Sequence, residues 1–152
     1  MKSIHIALIV VVGIIIIGFA GVLIGGSPVS LAGGVWQYAD ETGYIFQLEF
    51  TDTGNGVSRE YFANGVQSAS DFGLNGYVKS FVCSFTYYEI GVNKYNIYSK
   101  EGLLETYSGQ KYTLSGAEFE GFMLGTVTAK HIKSAEWLVW EDEWDVFTLD
   151  RM

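Results

Sequence analysis

At 152 residues, 49% hydrophobic and 16% aromatic, the chain can bury a core for one domain with an appended segment to spare, which excludes an intrinsically disordered protein. Formal net charge is −8, and beyond Lys2 there are 17 acidic residues against 8 basic ones. No basic patch is available to displace counterions from a phosphate backbone, so no nucleic-acid partner is expected. The single cysteine, Cys83, rules out an intramolecular disulfide and a multi-thiolate metal site.

Residues 4–24, "IHIALIVVVGIIIIGFAGVLI", carry no formal charge with His5 neutral, and 15 of the 21 are Leu, Ile, Val or Phe. A helix of that length spans the hydrocarbon layer of a bilayer. Its apolar residues favour insertion by about 5–9 kcal/mol together. The β-branched run Ile14–Ile17 would read as strand in water, but in lipid the backbone must satisfy its own hydrogen bonds, which selects helix. Residues 1–25 are therefore predicted to be a transmembrane anchor helix with the bilayer as its first partner. Gly21 and Gly25 form a Gly-x-x-x-Gly pair on one helix face, where a second helix could pack closely, so self-association or a protein partner is expected there. Lys2 and the free amine precede the helix, which places the N-terminus in the cytoplasm and the remainder outside. The rival reading is a cleaved signal peptide, with Ser30 and Ala32 at the −3 and −1 positions and secretion as the result. The apolar run exceeds the usual length for cleaved signals, which favours a retained anchor. Residues 26–34, rich in Gly and Ser and holding the only proline, Pro28, read as a linker.

Residues 35–152 read as an all-β, extracytoplasmic domain. Trp36 opens the first strand. "YIFQLEF" puts Tyr44, Phe46, Leu48 and Phe50 on one face and Gln47 and Glu49 on the other, the period of two of a half-buried strand. Three Asn-Gly pairs, at 55–56, 64–65 and 75–76, read as turns, because both residues tolerate positive φ. "SASDFGLNG" fits a short helix or a loop. "FVCSFTY" alternates Phe81, Cys83, Phe85 and Tyr87, so Cys83 reads as a small buried hydrophobe. Shorter alternations follow at Tyr95 and Ile97, then at Tyr112 and Leu114. About eight or nine strands with turn signals between them predict an antiparallel meander, closed as a barrel or folded as a two-sheet sandwich.

His131, between Lys130 and Lys133, reads as a residue of a polar face, and no nucleophile, acid–base pair or metal set accompanies it. The expectation is a protein without catalytic residues, metal or cofactor. "EWLVWEDEWDVF" interleaves Trp137, Trp140 and Trp144 with Glu141, Asp142 and Glu143. It fits a hairpin with tryptophans packed across strands, an exposed acidic-aromatic surface for a protein partner or a sugar, or a Ca²⁺ site.

The last strand, "VFTLDR", ends on Arg151. Together with Gly34-Val35-Trp36 at the start of the first, it resembles the lipocalins and related calycin barrels. That resemblance implies that Arg151 packs on Trp36 to close the barrel, and it implies a small apolar ligand. The Thr-Asp-Tyr type motif, the usual disulfide and the C-terminal helix of that family are absent. The preferred functional class is a membrane-anchored accessory or assembly subunit, or a surface recognition module. The alternatives are a filament subunit resembling archaeal-type pilins and a lipocalin-like carrier.

Overall fold

The computed structural model describes residues 30–51, 53–139 and 146–152. Over these the chain forms β1 (Val35–Ala39), β2 (Ile45–Phe50), β3 (Asn55–Tyr61), a 3-10 turn (Ser70–Phe72), β4 (Val78–Gly91), β5 (Lys94–Thr106), β6 (Lys111–Leu114), β7 (Met123–His131), β8 (Ser134–Val139) and β9 (Val146–Arg151). Every strand pairing is antiparallel. Strands β1 to β5 pair in sequence order, β5 pairs onward with β7, then β7 with β8, β8 with β9, and β9 returns to β1. The sheet is a closed eight-stranded barrel, and a sandwich is excluded. Strand β6 hangs on β5 as a ninth strand outside the ring.

One long strand makes this possible. The first half of β5, Lys94 to Tyr98, pairs with β7, while Gly102 to Glu105 pair with β6. A register shift between Ser84 and Phe85 of β4, opposite Ser99 and Glu101, marks where β5 changes partner. Bulges bend strands and raise their twist, which is what a strand leaving a ring needs.

Alternation explains which side chains fill the interior. The rows Trp36–Leu48–Ser58–Cys83 and Tyr38–Phe46–Glu60–Phe81 run across β1 to β4 on the inner face. Trp36, Leu48, Cys83, Phe85, Ile97, Val127, Ala135 and Leu149 are fully buried. Phe50 lies edge-on to Phe85 at 5.4 Å and to Tyr87 at 5.1 Å, and Phe46 stacks on Trp137 at 5.5 Å. Eight strands enclose about as much space as side chains can fill, and here aromatic rings fill it. Burial pushes the Cys83 thiol up to about 11, so its reactive thiolate is scarce at neutral pH.

Several sequence expectations change. Asn55-Gly56 is not a turn: it opens β3, and the positive-φ glycine of that connection is Gly54. Gly65 and Gly76 do adopt positive φ, at +88° and +82°. Tyr112 lies on the exposed strand β6 rather than on an inner face. The stretch read as a linker is in part barrel, because Leu31 is 3% exposed within the core and Ala32 bridges Phe50 in parallel. "SASDFGLNG" contains the 3-10 turn, closed by Gly73 in the left-handed region. The predicted anchor helix, with Gly21 and Gly25, lies outside the described residues. Among the described residues no helix is long and apolar enough to cross a membrane.

Candidate functional site

The barrel has two dissimilar ends. At one, Trp36 and Arg151 are register partners of β1 and β9, and the guanidinium lies 5.1 Å from the indole centroid. Trp36 is 0% exposed and its Nε1 donates to the Leu31 carbonyl at 2.9 Å. Arg151 donates from Nη1 to the carbonyls of Ser30 (3.2 Å) and Ile132 (3.4 Å), and from Nη2 to that of Ala32. A Cβ on Gly34 would fall 2.8 Å from Arg151 Nε, so glycine at that position leaves room for the clamp. A planar guanidinium can satisfy several carbonyls while stacking on a ring, which lysine cannot do. This end is packed shut.

The opposite end is formed by the start of β2, the end of β3, the start of β4 and the end of β5. Here the inner row reads Phe46, Glu60, Phe81, Leu104, with Tyr112 of β6 beyond. A carboxylate stands in a row of apolar residues. Residues 62–77 cross above it as a flap. The flap is held by Phe62 N–H to Lys79 O (3.0 Å), Val78 N–H to Gln67 O (2.8 Å) and Ala69 N–H to Gly76 O (3.0 Å). Tyr107 ties it to the β5–β6 hairpin, its hydroxyl donating to Phe62 O and its N–H to Tyr77 O. Beneath it Ala69, Val78 and Leu104 form a second small core, with Phe62, Phe72, Leu74 and Phe81 packed around.

Between flap and barrel lies a cavity of about 240 Å³, lined by Glu60, Phe62, Gln67, Phe72, Val78, Phe81 and Leu104. The Tyr44 hydroxyl donates to Glu60 Oε1 at 2.7 Å. Among the described residues no donor reaches Oε2, and no Lys, Arg or His lines the cavity. Gln67 spends its amide on the Ser68 carbonyl, at 3.3 Å. Burial raises the Glu60 carboxyl above its ordinary range, and the Tyr44 hydrogen bond partly opposes this. Burial, and then the Glu60 charge, raise the Tyr44 phenol far above its usual value, so Tyr44 stays a donor. The arrangement is a small, mostly apolar chamber with one carboxylate fixed by Tyr44 and the Gln67 amide also in its lining.

A second concavity, about 460 Å³, lies on the outer wall between Thr86, Tyr88, Tyr98, Ser99, Lys100, Glu120 and Gly121. Tyr88, 60% exposed, meets Tyr98 edge-on at 5.7 Å.

The predicted site residues fall into three groups. Trp36 and Arg151 are brought together. Trp137 is 5% exposed and faces the interior, paired with Phe147 and Val127, so it cannot belong to an outer partner surface. Strand alternation and the room left at Gly125 put it there. Trp140, Glu141, Asp142, Glu143 and Trp144 lie outside the described residues. His131 is exposed, and among the described residues no group of three or more His, Cys, Asp or Glu is placed to hold a metal ion.

Sequence reasoning missed Glu60. The inner face of β3 reads Gly56, Ser58, Glu60, with no apolar period to reveal it as a core face. The chain was compared with known protein families, with curated proteins and with solved structures, and none of them matches it.

Proposed function

We propose that this chain is a non-catalytic binding module of the extracytoplasmic surface, tethered through its N-terminal apolar segment and working through the Glu60 end of the barrel. The observation that carries the reading is the one carboxylate in a chamber lined otherwise by apolar side chains and Gln67. Glu60 is half-buried, and among the described residues every buried side-chain N or O has a partner, so the Oε2 that no donor reaches is accessible to solvent and to a ligand. The closed, ring-filled end supplies rigidity, and rigid elements hold a binding group more precisely than loops do. The length and composition of residues 4–24 support the tether.

Native mass spectrometry of the full chain, purified in mild detergent from carbonate-washed membranes, tests both halves. The expected result is retention in the washed membranes and a small-molecule adduct that Glu60→Gln reduces. Release by carbonate would overturn the tether, and adduct-free protein that also ignores a fragment screen would overturn the binding role.

The Tyr88–Tyr98 groove favours a second reading, docking of a protein partner against the outer wall. Exposed tyrosines supply contact area at low entropic cost. A stoichiometric partner that is lost with Tyr88→Ala but kept with Glu60→Gln would select it.

A further inference from the structure

The same chamber also indicates what it holds, and this inference rests on the binding role proposed above. We infer that the Glu60 chamber takes a small amphiphilic cation, an alkylammonium or arylalkylammonium whose charged head meets Glu60 Oε2 and whose tail lies among Phe62, Phe72, Val78, Phe81 and Leu104.

Three observations converge on that class. First, Glu60 Oε1 is occupied by the Tyr44 hydroxyl, whereas Oε2 receives no donor from the described residues. A ligand that brings N–H donors completes the carboxylate, and a charge-assisted bond is roughly twice as strong as a neutral one. Second, the chamber offers no cation of its own. A fatty acid or another anion would have to sit beside Glu60 unpaired, so like charge excludes it. Third, Phe62, Phe72 and Phe81 present aromatic rings around the acceptor, and ring faces attract ammonium groups as well as hydrocarbon. The overall charge of −8 draws cations toward the molecule. At about 240 Å³ the chamber lies below the usual range for drug-sized ligands, which selects a short tail.

The test is calorimetric titration of the full chain in zwitterionic nanodiscs with three isosteric probes, n-hexylammonium, n-hexanol and n-hexanoate, against empty nanodiscs. The cation is expected to saturate one site. Hexanol is expected to bind at least about tenfold more weakly and hexanoate not at all. Glu60→Gln, which keeps an acceptor for Tyr44, is expected to cost hexylammonium about tenfold or more, while Glu118→Gln on the exposed surface leaves it unchanged. Chemical-shift changes at Phe62, Phe72 and Leu104 place the probe in the chamber. Hexanol binding as tightly as hexylammonium, with those same shifts, would sink the cation assignment and leave the binding role standing. Loss on Glu118→Gln equal to that on Glu60→Gln would reduce the effect to surface charge and also sink it. Silence from all three probes would sink the assignment and the chamber's role together.

Discussion

Gly56 and Gly125 stand where a Cβ would collide with an aromatic ring. It would fall 2.5 Å from Phe85 Cε1 at the first and 2.6 Å from Trp137 Cη2 at the second. Both glycines are therefore part of the core packing, as the space into which rings fit. Gly125→Ala is expected to destabilise by about 1–3 kcal/mol, because an overpacked core must shift backbone or leave its rotamers. Chemical denaturation with an unchanged m-value would confirm it. Glu60 carries the opposite expectation. Its carboxyl is raised by burial, so the folded state holds its proton more tightly than the unfolded chain does. Its contribution to stability therefore falls as pH rises through the raised value, and at neutral pH it is a cost. Glu60→Gln is expected to raise Tm by about 2–5 °C at neutral pH and to give no gain in acid, where the native carboxyl is already protonated. A flat difference across pH would show that burial, not charge, sets the change.

At the scale of elements, Ser99 is the joint at which β5 leaves the ring. Its hydroxyl donates to Phe119 O and accepts from Phe122 N–H at 3.1 Å, while its own backbone pairs with Phe122 O and Gly121 N–H. Ser99→Ala is expected to cost about 1–2 kcal/mol and to speed amide exchange at Gly121 and Phe122 while leaving β1 and β2 protected. The same joint explains what could be read from the residues alone. Strands β2 and β4 were legible, since Phe46, Leu48 and Phe50, and Cys83 and Phe85, alternate cleanly with polar neighbours. Strand β3 was not, because its inner face carries Gly56, Ser58 and Glu60 and so has no apolar period, and in β7 the inner Gly125, Val127 and Ala129 are small residues that mark a core face only weakly. In β3 the Asn-Gly pair imitates a turn. The Trp36–Arg151 pairing was legible only through the resemblance to calycin barrels, and the structure does bring the two side chains together. The Glu60 chamber depends on four strands and a flap meeting, which no local pattern encodes.

For the molecule as a whole, ring closure leaves β6 as an edge strand, four residues long and opened by Lys111, which limits edge-to-edge association. Closure itself depends on the β1–β9 seam, whose register covers only Trp36–Arg151 and Gln37–Asp150. Arg151→Ala leaves three carbonyls without their donor and uncovers the indole face. The expected cost is about 2–4 kcal/mol, with Trp36 fluorescence shifted to the red, and Arg151→Lys should recover little of it. The chain enters the barrel at this same seam, since Arg151 holds the carbonyls of Ser30 and Ala32. A mechanical pull arriving through the polypeptide before Ser30 therefore loads the guanidinium before it reaches any strand.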